Sequence, residues 1–451
     1  MSQVAERHES FVSGFEAFAA EPAFGPAGLA SARQAAFARF LDRGFPTTRE
    51  EEWRFTSVAP VAALTYARPS GSADRAAVEP FLFDGAVPHQ IVLVNGRFEP
   101  ALSRLDALPP GVLVQPLAEV VASGFGDVAE LFPEDAPTVF CDLNAAFFDG
   151  GVCIGVAARA VVAEPIHVAC VTTTGASPTL AAPRIVVRVG EQAQVSLVES
   201  HDSLGTGTAL TVPVVDVHVG PGAIVRHVKL QRESPAVFHL AATTVRLSRA
   251  GTYDSRAITL GGRIVRNDIV SRLEGEGAEC TLDGLYVADG ETLVDTHTTI
   301  DHARAHCPSH EVYKGIMAGR AQAVFNGKII VRPDAQKTDA KQTNKALLLS
   351  DEARINTKPQ LEIFADDVRC THGAAIGQLD EDALFYLRAR GIAALDARNL
   401  LIHAFAGEVL DEIAVPAVRE AATQAMERKL SLAPVARPDL QSALLTERGA
   451  D

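Results

Sequence analysis

Two side chains able to bind soft metal ions, Cys370 and His372, stand two positions apart in the stretch Asp366-Asp367-Val368-Arg369-Cys370-Thr371-His372-Gly373-Ala374. Thiolate and imidazole both ligate iron and zinc. On a strand the two point to the same face, about 6–7 Å apart along the chain. That spacing suits poorly the chelation of one small ion. It suits two contacts with a larger cluster, or a ligand set completed by a second chain. The alternative is a buried cysteine beside a structural histidine.

A denser group, His297, His302, His306, Cys307 and His310, places four histidines and a cysteine within 14 residues. The spacing argues against zinc. His306 and Cys307 are neighbours and would face opposite sides of a strand, and no pair of thiols lies nearby to close a tetrahedral site. Inward polar ladders of a coiled strand region account for it better. Phe325-Asn326-Gly327-Lys328-Ile329 contains Gly-Lys but lacks the glycine-rich cradle and the Ser or Thr of a nucleotide loop. Any ATP must therefore be handled by a partner. No G-x-S-x-G elbow and no strand-borne G-x-G-x-x-G is present.

The polar run Asp334–Lys345 reads as a solvated loop, or as a short helical turn with Lys337, Lys341 and Lys345 on one basic face. Six cysteines, Cys141, Cys153, Cys170, Cys280, Cys307 and Cys370, are too few and too scattered for a disulfide scaffold.

The elements that must carry these residues fall into three regions: 1–140 helical or mixed, 141–378 strand-rich, and 379–451 helical. The first contains a helix over Ala30–Arg43, stopped by Gly44 and Pro46, and a second element opening at Thr48 with Glu51 as a capping-box partner. Gly151 to Thr172 reads as two buried strands. From about Val161 to Ile376 short alternating strands recur around small residues at Ala193, Ala223, Gly251, Ala278, Ala321 and Ala353, with spacings of 30, 28, 27, 43 and 32. A period near 30 without intervening helices suggests a stacked β-solenoid, a long antiparallel sandwich being the competing arrangement. Helices are expected over Glu381–Arg390, after Asp396, and over Val415–Leu430, with a frayed tail beyond Pro434.

Over the 451 residues the net charge is −15, which excludes a nucleic-acid footprint and a basic membrane-surface protein. With 47% hydrophobic residues a large core is available. No signal peptide and no run of about 18 apolar residues is visible, so the cytoplasm is the expected location and no membrane partner is expected.

Tyr313-Lys314-Gly315-Ile316, Phe325-Asn326-Gly327-Lys328-Ile329, Ala335 through Lys345, Leu347-Leu348-Leu349-Ser350, Lys358-Pro359-Gln360-Leu361-Glu362-Ile363 and Asp366-Asp367-Val368 follow in order. This series resembles the shared core of the SufB and SufD scaffolds of the SUF iron–sulfur assembly system. Cys370-Thr371-His372-Gly373-Ala374 with Gly377, Leu384-Phe385-Tyr386-Leu387-Arg388-Ala389-Arg390-Gly391-Ile392, and Glu51-Glu52-Trp53-Arg54-Phe55-Thr56 are similar to the SufD branch.

The resemblance implies a right-handed parallel β-helix with helical ends and no catalysis by this chain. It implies a SufB-like scaffold and a SufC-like ABC ATPase as partners, with a homodimer possible in isolation. A nascent iron–sulfur cluster would be transient, shared with the SufB-like chain and not held tightly by this chain alone. By the resemblance His372 is the metal ligand candidate and Cys370 a second one. Leu384, Leu400 and Phe405 are candidates for docking the ATPase. Two other functions compete: a SufB-type scaffold carrying the main cluster ligands, and a β-helix carbohydrate-active enzyme. The latter would need clustered acids, of which only Asp366-Asp367 stands out.

Overall fold

Short apolar strands with small residues at their turns bury their inner faces only by stacking, coil on coil. The structure, a computed structural model describing residues 3–21, 25, 27–83, 85–123, 132 and 136–432, does this over about eight turns. Among the described residues a ten-stranded and an eleven-stranded sheet run side by side. Successive coils contribute one strand to each sheet and pair in parallel. Glu279–Ala288, Pro308–Met317, Asp339–Leu348 and Arg369–Gly377 follow one another in the first sheet. Leu293–His302, Gln322–Val331 and Arg354–Ile363 follow one another in the second. The antiparallel sandwich is thereby excluded. Gly151 to Thr172 forms two strands, Val152–Val156 and Ile166–Thr173. The sheets also reach upstream of residue 141, since His89–Val94 pairs with Ile166–Thr173.

The repeat is more regular than the sequence suggested. The turns that open the strands of the first sheet end at Ala193, Ala223, Gly251, Ala278, Cys307, Thr338 and Val368, spaced 30, 28, 27, 29, 31 and 30. Ala321 and Ala353 belong to the opposite corner, where they precede strands of the second sheet. The apparent gap of 43 is a jump between corners. At the first corner Gln192, Gly222, Ala250, Gly277, His306 and Lys337 all adopt left-handed φ of 55–70°. Their amides stack upward, Ala250 donating to Glu276, Gly277 to Ala305, His306 to Gln336 and Lys337 to Asp367. A ladder of coil-to-coil hydrogen bonds thus holds four non-glycine residues in a conformation they seldom adopt alone.

Buried polar groups enter the apolar lumen early, where Glu199 meets His227 at 3.0 Å, and return toward the last coils. The family-like glycines are explained there. A Cβ on Gly315 would lie 2.1 Å from the Tyr286 ring, and one on Gly327 would lie 2.2 Å from Gln342 Nε2. Asn344 Nδ2 donates to Tyr286 Oη at 3.2 Å and to the Tyr313 carbonyl at 3.1 Å. The run Asp334–Lys345 is neither a loop nor a helical turn throughout. Its second half starts the strand Asp339–Leu348, and Lys337 occupies the left-handed corner. Period two sends Lys341 and Lys345 outward and Gln342 and Asn344 inward, so the apparent four-residue basic spacing is a strand's outer row.

Helices cover the outer faces. On the second sheet lie α1 (Gln3–Ala19), α2 (Ala27–Arg43) and α3 (Val139–Phe147). Phe15, Phe18, Phe37, Phe40 and Phe147 meet Val186, Phe238 and Leu240 there. Buried Arg33 donates to the carbonyls of Phe148 (2.6 Å) and Ala146 (3.2 Å), which lie at the open end of α3. Gly44 closes α2 with φ 64°. The expected capping box sits one residue earlier: the Thr47 amide donates to Glu50 Oε1 at 2.7 Å, and only a 3-10 turn, Glu51–Trp53, follows.

This segment then crosses the second sheet as a strap. Arg266 donates to the Glu52 carbonyl (2.8 Å), Thr56 to Asp295 (2.6 Å), and Asn326 to the Glu52 carboxylate (3.1 Å). Lys358 pairs with Glu51 at 2.5 Å, so one short segment grips four successive coils. Trp53 lies under the Arg266 guanidinium at 3.8 Å.

On the first sheet lie α5 (Ala394–Leu410) and α6 (Pro416–Leu430), and α4 (Glu381–Ala389), with no buried residue of its own, packs beside α5. Asp380 caps α4 by accepting from the Ala383 amide at 3.0 Å. Ile402, Val409, Leu410, Val418 and Met426 bury against Leu230, Ile258, Leu285 and Ile316. The expected frayed tail beyond Pro434 lies outside the described residues. Among the described residues no helix is long and apolar enough to cross a membrane.

Candidate functional site

The strand Arg369–Gly377 is the last of the first sheet, paired to Asp339–Leu348 along one edge. Among the described residues no strand pairs with its other edge. Beside it Arg354–Ile363 ends the second sheet in the same way. The solenoid is therefore open here, and the residues that upstream coils bury in the lumen are uncovered. One inward column runs Ser255, Leu282, Glu311, Gln342 and His372 through the successive pairings. The first four are buried and His372 is exposed.

Cys370 occupies the neighbouring inward column, in register with buried Ala340. It packs beside Ile329, Val331 and Ala340 and is half-buried. Burial raises its thiol above the usual range, with the Ala340 amide opposing. The strand thus brings Cys370 and His372 to one face, with the imidazole free to solvent and the thiol partly sealed. Exposed Phe364, Ile363 and Ile376 border the same open end.

The other histidines disperse. His297 lies on the outer face of the second sheet, 3.0 Å from Asp295 and 3.3 Å from Glu52. His302 points into the lumen and meets Ser309 Oγ at 3.0 Å. His306 occupies a corner, Cys307 is buried behind it, and His310 faces outward on the first sheet.

Of the docking candidates, Leu384 and Leu400 are half-buried on α4 and α5. Phe405 is held against the solenoid: Lys314 Nζ lies 4.2 Å above its ring, donates to its carbonyl at 2.9 Å, and pairs with Glu408 at 2.6 Å. Phe385 and Tyr386, which the sequence offered only as part of the resemblance and not as docking candidates, are 75% and 56% exposed on α4. Their signal was available, since two aromatics follow Leu384 on a helix whose polar residues already suffice for solubility. An apolar groove of about 330 Å³ lies between α5 and the last coil, lined by Ala375, Ile376, Leu379, Leu401 and Phe405.

Two family models match the chain: one described as SUF system FeS cluster assembly, SufBD core domain, over residues 171–405, and the SufBD protein N-terminal region over residues 23–168. An iron–sulfur cluster assembly SufBD family protein of Synechocystis is 35% identical over 396 residues, covering 85% of this chain and 87% of the relative. The iron–sulfur cluster assembly protein SufD of Escherichia coli is 30% identical over 384 residues, 83% and 87% of the two chains. SufD of Bacillus subtilis is 27% identical over 296 residues, 64% and 66%. With a solenoid core, helical ends and both family regions in order, the chain belongs to the SufBD family of iron–sulfur cluster assembly proteins.

Proposed function

We propose that this chain is a SufD-type scaffold subunit. It supplies one imidazole, His372, to an iron–sulfur cluster assembled where the open end of its solenoid meets a SufB-type scaffold. The observation that carries this reading is the exposure of His372 at the end of a column buried in the preceding coils, on a strand with a free edge. An unpaired edge is a template for a further strand. A partner docked there brings its own ligands to a face that offers too few for a cluster. Cys370 is a second ligand, its raised thiol requiring the metal to displace the proton.

The C-terminal helices dock an ABC-type ATPase of the SufC class through α4. Nucleotide-driven motion of that partner is passed through α5 to Lys314 and the last coils, opening the seam between scaffolds. ATP hydrolysis belongs to the partner.

The test is co-purification with both partners, followed by anaerobic reconstitution on the complex. His372→Ala is expected to leave the complex intact and to lower cluster formation about tenfold or more. Cluster formation at the wild-type rate sinks the ligand role.

A further inference from the structure

The column beneath His372 holds a polar pair that neither the fold nor the cluster site has yet accounted for. Gln342 is the register partner of His372 and Glu311 that of Gln342, all three facing the lumen. Gln342 Nε2 donates to Glu311 Oε2 at 2.7 Å, with both side chains buried. The amide is also held by its slot, since its nitrogen occupies the space that any side chain at position 327 would fill. With the nitrogen committed to Glu311, the other end of the amide is the acceptor. Gln342 Oε1 is buried and has no hydrogen-bond partner. An orphaned buried carbonyl is costly, and the next residue along the column is an imidazole.

We propose that Gln342 is a positioning residue for His372: its side-chain carbonyl accepts the inner ring N–H of His372, and Glu311 fixes the amide orientation that makes this possible. This rests on the reading of His372 as a ligand. An imidazole that donates through one nitrogen has a fixed tautomer and presents the lone pair of the other. With the inner nitrogen so bound, the other nitrogen of exposed His372 is left for a ligand at the open end. Glu311 suits the task because it has no cation to compete for it. Burial pushes its carboxyl up to about 7, with Thr298 and Gln342 hydrogen bonds opposing and Asp283 adding to the rise. The neutral amide is thus its link to the end of the column.

The experiment is nitrogen NMR of the full chain labelled at histidine, with the His372 signals identified by their loss in His372→Ala. At pH 8 the wild-type ring is expected to show one neutral tautomer. Gln342→Met, close to isosteric, is expected to give the averaged signals of two tautomers and to lower cluster formation on the complex about tenfold. The exchange Glu311→Gln with Gln342→Glu reverses the polarity of the pair and leaves an acceptor facing His372, so it is expected to restore the single tautomer. An unchanged ring signature in Gln342→Met overturns the proposal, as does a folded exchange variant whose ring stays averaged. If the ring behaves as stated while His372→Ala still builds clusters, the inner hydrogen bond stands and the ligand reading falls.

Discussion

The ring of Tyr286 occupies the space into which a side chain on Gly315, one coil further along, would project. Tyr313 does the same for Gly284, where a Cβ would lie 2.1 Å from the ring. The two tyrosines interleave with two glycines across adjacent coils of one sheet. Gly315→Ala is expected to destabilise the chain by about 1–3 kcal/mol, the cost of overpacking a filled core. Combining it with Tyr286→Leu is expected to be much less than additive, because the smaller side chain vacates the contested space. Urea unfolding of the two single variants and the pair checks this. Additive losses would show that the glycine is needed for another reason.

The strap responds to pH through His297 and Glu52. Burial disfavours the His297 cation, but Asp295 and Glu52 outweigh it and raise the imidazole to about 9. The hydrogen bond from His297 lowers the Glu52 carboxyl to about 2. A histidine raised from 6.5 stabilises fully below that value and loses its contribution as pH rises through 9. A carboxyl lowered from 4.5 stabilises fully above that value and loses its contribution as pH falls through 2. Both contributions are complete between 4.5 and 6.5. Hydrogen exchange of residues 51–56, corrected for intrinsic rates, is expected to be slowest in this window and to quicken toward pH 9.5. His297→Gln should abolish that alkaline limb, and a limb unchanged in the variant would exclude His297 as its origin.

Glu311 has the opposite sign. Its carboxyl is raised from 4.5 to about 7 by burial, so the folded state holds the proton more tightly than the unfolded one. Stability from this group is greatest below pH 4.5 and falls as pH rises through 7. The difference amounts to about 3 kcal/mol. Glu311→Gln removes the penalty, and its melting temperature relative to wild type is expected to be higher at pH 8 than at pH 5. A difference independent of pH would show that the group does not titrate in this range.

The aromatics of α4 and α5 separate docking from folding. Phe385→Asp is expected to leave the melting temperature unchanged, because its ring is mostly in solvent, and to weaken ATPase binding about tenfold or more. Phe405→Asp is expected to loosen the C-terminal helices, because the Lys314 ammonium packs on that ring. Calorimetric titration of ATPase with each variant, beside their melting curves, distinguishes them. Undiminished binding by Phe385→Asp would remove that face of α4 from the interface.

The residues whose partners lie one coil away were legible in the sequence. Alternation along Val215–Val219 and a small residue before each strand were enough for a solenoid, because that geometry repeats every 27–31 residues. The slip at residues 278–321 arose because a solenoid has more than one corner and small residues mark each of them. Cys307 and Thr338 do at the first corner what alanine does elsewhere. Region 61–140 stayed opaque for a different reason. Its strand His89–Val94 turns at Asn95-Gly96 to pair locally with Arg97–Phe98, but the parallel pairing that joins it to the solenoid lies more than 70 residues downstream, where nothing local announces it. The candidate site was legible in residue type and in strand parity. That His372 is uncovered and Cys370 is not depends on where the stack of coils stops, which no local pattern records.

The strap has a further consequence for the order in which the molecule can be finished. Glu51 and Lys358 are 307 residues apart in the chain. Coils can wind as they leave the ribosome, each on the one before, but Glu51–Thr56 has nothing complete to grip until the coil that carries Lys358 has emerged. α1 and α2 find their seat by the coil that carries Leu240, whereas the strap is made early and completed late. A nascent chain stalled before that point would carry a bare second sheet on its newest coils, a surface for chaperones rather than for a sister scaffold.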